Sequence, residues 1–192
     1  MSEIDGRRKR SEDSRARIVA AMLELARDTG ASPSAEQVAE RAGVGLRSVF
    51  RHFRDMESLY REITEVVEAN LRQVAARPFV GATWRERLDE LIARRGEAFE
   101  FAAPYRKASD SKRQGSPELQ MRHNRMISVL RQLLLAQLPA DVAADAMLVE
   151  SLDLMLSFET WQRLRADQGL TPDEAQQVLA WSVRRLLGER SA

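Results

Sequence analysis

The side chains able to do chemistry in this sequence are few, and they are not those of an enzyme. The chain carries two histidines, His52 and His123, and no cysteine, which excludes thiolate nucleophiles, disulfides and the usual zinc fingers. It has no glycine-rich phosphate loop and no cluster with metal-ligand spacing, and the carboxylates single out no acid–base pair. No catalytic residue, metal or cofactor is expected. The sequence does offer a short run of cations and small apolar residues, Leu46, Arg47, Ser48, Arg51 and His52, just beyond Gly43 and Gly45. An arginine makes a bidentate contact to guanine, and a leucine exposed at the start of a helix suits the methyl group of thymine. Taken singly, each is equally an ordinary surface residue.

These residues act together only if short elements hold them rigidly. Ser34 with Gln37 three positions on is the arrangement of a capping box, so a second helix is expected to start there and to end at Ala42. Gly43 supplies a turn, and Val44 and Val49 give a third helix, running to about Phe53, apolar residues to bury against Val38 and Ala39. Upstream, Ile18, Met22 and Leu25 with Ala21 and Ala26 repeat at helical spacing from Ser14 to a closing Gly30. The expectation is a helix-turn-helix over roughly Ser34–Phe53, in a DNA-binding region of residues 13–54. Residues 1–12 contain Arg7, Arg8, Lys9 and Arg10 without an apolar period and read as a flexible basic arm, either a solvated tail or a further DNA contact.

Beyond this region the helical pattern continues. Asp55 is a good N-cap for a long helix carrying Leu59, Ile63, Val66, Val67 and Leu71 until Pro78. Trp84, Leu88, Leu91, Ile92 and Phe99 mark another helix, and Pro104–Pro117 suggests a short irregular connection. Helices are expected over Met121–Leu138 and Asp141–Asp167, then from Thr171-Pro172 to near Gly188. The fold class is all-α with about nine helices, the larger region spanning residues 55–192.

The run Ala39-Glu40-Arg41-Ala42-Gly43-Val44 followed by Val49-Phe50-Arg51-His52-Phe53 resembles the recognition-motif core of the TetR family of bacterial transcriptional regulators, over roughly Arg15 to Leu59. The resemblance implies a three-helix DNA-binding unit, a larger ligand-sensing helical region and a homodimer formed largely by the last two helices. It assigns Ser34 to phosphate, Gly45, Leu46 and Arg47 to base edges, and Ser48, Arg51 and His52 to phosphates. Two positions depart from the family: Gly45, where serine is frequent, and Met56, where lysine is usual. Met56 cannot hold phosphate by charge, so the backbone amides at that helix start, with Arg54 as cation, are expected to serve instead.

Two apolar stripes run along Asp141–Asp167, Leu148, Leu152 and Met155 on one, and Met147, Leu154, Phe158 and Trp161 on another about 100° round. The last helix has a broad arc that includes Val178, Leu179, Trp181, Val183 and Leu186. A surface helix of a monomer needs one such face, so the second is expected to meet another subunit, with ordinary burial as the alternative. An effector cavity among the central helices, coupled through the fourth helix, has Phe99, Phe101, Tyr105, Met126, Met155 and Phe158 as candidate walls and Asn70, His123 and Glu159 as candidate polar contacts. The same aromatics and methionines are also what a plain core contains.

The composition fits this reading. Hydrophobic residues make up 44% and charged residues 31% of the 192, as in globular proteins. No apolar run is long enough to span a membrane, and the charged N-terminus lacks the apolar stretch of a secretory signal, so a cytoplasmic protein is expected. Residues 1–54 hold eleven Lys or Arg against eight Asp or Glu, and the remainder nineteen against twenty-one, which places the attraction for phosphate at the N-terminal end. The expected function is a ligand-responsive DNA-binding regulator, most simply a repressor that binds a palindromic operator as a homodimer and is released by an unknown small molecule. The competing readings are a helical protein-interaction module and, less favoured, an enzyme.

Overall fold

The computed structural model describes residues 3–29, 32–113 and 115–188, with the side chains of residues 3–7 and 108–112 left undescribed. Among the described residues ten α-helices follow one another: α1 (Glu3–Thr29), α2 (Ala35–Ala42), α3 (Leu46–His52), α4 (Met56–Ala75), α5 (Trp84–Arg113), α6 (Pro117–Leu135), α7 (Ala140–Ala143), α8 (Ala146–Met155), α9 (Phe158–Gln162) and α10 (Pro172–Leu186), with a π-helical turn at Arg163–Asp167 after α9. Among the described residues there is no strand, and no helix is long and apolar enough to cross a membrane. The all-α expectation holds, with one helix more than foreseen.

The chain forms two compact units, Met1–Ala69 with Ala102–Gln120, and Asn70–Phe101 with Met121–Ala192. In the first, α1 buries Ile18, Ala21, Met22, Leu25 and Ala26, the face that its helical spacing marks. The segment expected to be a flexible arm is helical from Glu3. Arg8 pairs with Glu12 one turn on at 3.0 Å. Gly30, read as the end of this helix, lies outside the described residues.

The first unit also reaches beyond the boundary expected at residue 54. The Glu57 carboxylate accepts from the Ser116 hydroxyl at 2.8 Å, Arg61 pairs with Glu118 at 3.0 Å, and Arg27 donates to the Tyr105 hydroxyl at 3.0 Å. The start of α4 and the end of α5 are thus tied to α1 and α6 within one unit.

Pro104 does not begin an irregular connection, because α5 continues through it to Arg113. Proline removes one backbone donor from the helix, but Ala102 and Tyr105 beside it are buried, and that burial offsets the missing bond.

In the second unit the helix expected over Asp141–Asp167 is broken twice. Asp145 accepts from the Leu148 amide at 3.0 Å, and Ser157 accepts from the Thr160 amide at 3.2 Å, each starting a new helix as an N-cap. The break at Leu156 and Ser157 resets the helical phase, so Phe158 and Trp161 are not one outward stripe with Met147 and Leu154. Phe158 and Trp161 are buried, and Phe99 meets Phe158 edge-on with ring centres 5.5 Å apart. Arg95 is only 4% exposed and donates to the carbonyls of Leu156 at 2.7 Å and Leu130 at 2.5 Å. Burial lowers the pKa of its guanidinium to about 10. The bond to Leu156 places a cation at the C-terminal end of α8, where the helix dipole favours one.

Candidate nucleic-acid interface

The support for the cationic run starts with the cap of α2. The Gln37 amide donates to the Ser34 hydroxyl at 3.3 Å, and the Ser34 amide donates to the Gln37 side chain at 2.8 Å, the reciprocal box expected from the sequence. Val38, Ala39 and Ala42 then face inward. Gly43 takes the left-handed conformation, φ 62° and ψ 40°, which an L side chain adopts only with strain. The Val44 amide reaches back to the Ala39 carbonyl at 3.0 Å, closing the helix end as a Schellman turn does. Gly45 caps α3 with ordinary extended angles and no side-chain hydrogen bond.

On α3, Val49 and the following Phe53 are buried, four residues apart on one face. That fixes the opposite face: Leu46, Arg47, Phe50 and Arg51 are exposed, and Arg54 is exposed just beyond the helix. Leu46 and Phe50 form an apolar stripe at i, i+4, beside a cationic stripe of Arg47 and Arg51. Phe50 is 46% exposed. It is a candidate contact that the sequence reading named only as part of the motif, although its phase against Val49 and Phe53 marks it as outward.

Three of the expected anchors are less open than Arg47 and Arg51. Ser48 and His52 are half-buried, and the His52 Nε2 is enclosed without a hydrogen-bond partner. Burial above all, with the charges of Arg51 and Arg15, pushes the imidazole below its ordinary pKa, so the cationic form is disfavoured at His52, where a phosphate contact was expected. At α4, Met56 is half-buried and the Ser58 amide is already taken by the Asp55 carboxylate at 2.7 Å. That hydrogen bond holds Asp55 below its ordinary pKa. An exposed anion therefore sits at the helix start where the amides were expected to receive phosphate, and Arg54 is the cation left at that end. Ser34 is exposed as required, but its hydroxyl also engages Glu36, whose carboxyl is lowered first by its own backbone amide.

Arg15 was not foreseen. Its guanidinium pairs with Glu62 at 2.7 Å, donates to the His52 carbonyl at 3.0 Å and lies 4.4 Å from the centre of the Phe53 ring. One side chain of α1 thereby fixes the end of α3 against the start of α4. Nothing in the sequence pattern distinguishes Arg15 from Arg17.

The residues expected to line an effector cavity do not all gather. Phe99 and Phe158 pack together in the second unit, where Asn70, Phe101, His123, Met126 and Met155 are half-buried and Glu159 is exposed. Tyr105 belongs to the first unit, held by Arg27 on α1. Glu100 was missed: it accepts from the Trp161 indole at 2.7 Å and pairs with Arg165 at 2.7 Å, tying the π-helical turn to α5. Among the described residues no group of three His, Cys, Asp or Glu is placed to hold a metal.

The expected dimer residues divide cleanly. Met147 is 78%, Leu154 69% and Trp181 57% exposed, and Val178 and Leu186 are exposed as well. Phe158, Trp161, Leu179 and Val183 are buried in the protomer's own core, so their apolarity needs no partner to account for it.

The family model for bacterial regulatory proteins of the tetR family matches residues 18–63, the stretch from the buried face of α1 into α4. No curated protein matches the chain. Among solved structures, the chain is similar to a tetR-family transcriptional regulator from Streptomyces coelicolor, at 19% identity over 92% of this chain and 81% of that one, with a TM-score of 0.66. It is also similar to a TetR-like transcriptional regulator from Rhodococcus sp. RHA1, at 18% identity over 92% of this chain and 97% of that one, with a TM-score of 0.60. These likenesses extend the shared fold over both units.

Proposed function

We propose that this chain, whose residues 18–63 match the tetR family of bacterial regulatory proteins, is a transcriptional regulator that binds operator DNA as a homodimer and answers to a small-molecule effector. The observation that carries the reading is the two-sided α3: Val49 and Phe53 lock one face into the unit, and Leu46, Arg47, Phe50 and Arg51 are left on the other. A helix so held enters the major groove with its first residues at base edges. Arg47 reads guanine and Leu46 a thymine methyl, whereas Arg51 and Arg54 bind phosphate.

The dimer rests on Met147 and Leu154 of α8 with Val178, Trp181 and Leu186 of α10, large apolar side chains left in solvent on two helices. Two such protomers present two reading helices about one DNA turn, roughly 34 Å, apart, which calls for a palindromic site. An effector regulates this assembly only by preferring one of its states. The second unit, with its aromatic cluster of Phe99, Phe158 and Trp161, is where we place it, and release of the dimer from a promoter makes the chain a cytoplasmic repressor.

The test is equilibrium binding of the purified protein to duplexes it selects from random sequence. Salt-sensitive binding with a clear preference over scrambled DNA is expected. Arg47→Ala is expected to relax the base preference at one position, by about 1–3 kcal/mol, and Arg51→Ala to weaken binding to all sequences alike. Absence of any preference, or equal loss of selectivity in the two variants, overturns the assignment.

A further inference from the structure

Arg95 of α5 is the one charged residue that is buried among the described side chains, and no carboxylate pairs with it there. Arg77, Arg94, Arg131, Arg165 and Arg184 of the same unit each meet a carboxylate within 3.1 Å, and none of them is buried. The carboxylate whose charge favours Arg95 is that of Asp153, which pairs instead with Arg131 at 3.1 Å. The carbonyls of Leu156 and Leu130 take two of the five guanidinium N–H groups, and Nε is enclosed with no acceptor. Capping α8 needs only the bond to Leu156, and a cation in solvent would supply it at lower cost. A buried cation with donors to spare lowers stability, and an apolar side chain of similar volume is often as good or better in such a place. The fold alone therefore gives no reason for an arginine at this position.

The surroundings are aromatic and soft. Phe99 stands one turn beyond Arg95 on the same face of α5, about 6 Å along the axis, and packs on Phe158 and Trp161. The Trp161 ring lies over Gly96, the neighbour of Arg95. Leu156, whose carbonyl Arg95 holds, is two residues before Phe158. Met155 directly precedes Leu156, and Met126 stands one turn before Leu130 on α6. Both are half-buried, and unbranched thioether side chains re-pack readily around a new neighbour.

We propose that Arg95 anchors the carboxylate of an organic acid, whose apolar body lies against Phe99 and Phe158 as Met155 and Met126 give way. This names the chemical class of the effector placed in the second unit above, and it rests on that placement. The carboxylate supplies the acceptors and the counter-charge that Arg95 lacks, in hydrogen bonds about twice as strong as neutral ones. The uncharged amide of the same acid brings no counter-charge, and a cationic compound is repelled.

The full-length protein is titrated calorimetrically, at fixed chloride concentration, with octanoate, phenylacetate and their amides. Wild-type protein is expected to bind at least one acid about tenfold more tightly than its amide. Arg95→Met is expected to bind acid and amide alike, and Arg95→Lys, which keeps the charge without the fork, to retain only part of the preference. Arg131→Gln, which alters a half-buried arginine already paired with carboxylates, is expected to keep the wild-type preference. Circular dichroism verifies each fold, and the wild-type ratio with Arg95→Lys decides the matter if Arg95→Met does not fold. Equal binding of acid and amide by the wild type overturns the proposal, as does an undiminished preference in Arg95→Met, an equal loss in Arg131→Gln, or failure of both acids to bind at millimolar concentration. Release of a selected duplex is followed in parallel. An acid that binds through Arg95 and leaves DNA affinity unchanged upholds the anion site and refutes its role as the effector site.

Discussion

The Arg15 guanidinium donates to the carbonyl oxygen of His52 at 3.0 Å, across 37 residues of chain. The same group pairs with Glu62 and covers the Phe53 ring, so three elements meet on one side chain. Arg15→Met keeps most of the stem and removes these contacts. Its expected cost is about 1–2 kcal/mol in urea unfolding, near the usual value for charge-assisted bonds and reduced by partial exposure. DNA affinity is expected to fall as well, because the end of α3 loses its tie. A loss below about 0.3 kcal/mol would show that α3 is held without Arg15.

His52 predicts a pH effect of definite sign. Its folded pKa is lowered, chiefly by burial, so the unfolded chain binds the proton more readily. The stability contributed by neutral His52 is present above the unfolded value of about 6.5 and is lost as the pH falls through the lowered folded value. Wild-type protein is therefore expected to lose stability between about pH 7 and pH 5, and His52→Asn to lose less of it. The carboxylates of Glu97, Glu100 and Glu150, held low by Arg77, Arg165 and Arg131 respectively, titrate below that window, and the comparison with His52→Asn isolates the share of His52 from that of His123. Identical pH profiles for the two proteins would contradict the assignment.

Gly43 and Gly45 stand two residues apart and are expected to respond oppositely to substitution. At both positions a Cβ would stand in open space, with no atom within 4 Å, but Gly43 has φ +62° and Gly45 does not. Gly43→Ala is expected to destabilise by about 1–2 kcal/mol through backbone strain alone, with Gly43→Asn milder. Gly45→Ser supplies the side-chain cap that α3 lacks and is expected to stabilise by a few tenths of a kcal/mol. Thermal unfolding of the three variants gives the order directly, and a destabilised Gly45→Ser would refute it.

Leu154 and Trp181 are the best exposed apolar side chains of α8 and α10 after Met147. A Leu154→Glu/Trp181→Glu variant is expected to sediment as a monomer with unchanged helicity, whereas Leu179→Ala, in the protomer core, is expected to lose about 2–5 kcal/mol of stability. A wild-type protein that is already monomeric at micromolar concentration would remove this interface.

Local chemistry made the N-terminal elements legible in the sequence. Ser34 with Gln37, and Gly43, act on their own neighbours, and the helices end where those residues say. The second unit was harder because its breaks compete with a strong apolar pattern. Asp145 and Ser157 carried the signal, each an N-cap residue inside an apolar run, but a single 3.6-residue period drawn through Ser157 placed Phe158 and Trp161 on the wrong face. At Pro104 the local rule pointed to a chain break, and burial of Ala102 and Tyr105 overrode it. Arg15, Arg95 and Glu100 left no trace in the pattern, since their partners lie 35 to 65 residues away.

The six-membered ring of the Trp161 indole lies 2.8 Å from where a Cβ on residue 96 would stand. Positions 96 and 161 therefore form a linked pair in any drift of this sequence. An alanine can appear at 96 only after, or together with, a smaller ring at 161, and that ring would surrender the indole bond to Glu100. The route by which this core could diversify is thus ordered in time, with the aromatic position leading and the glycine following.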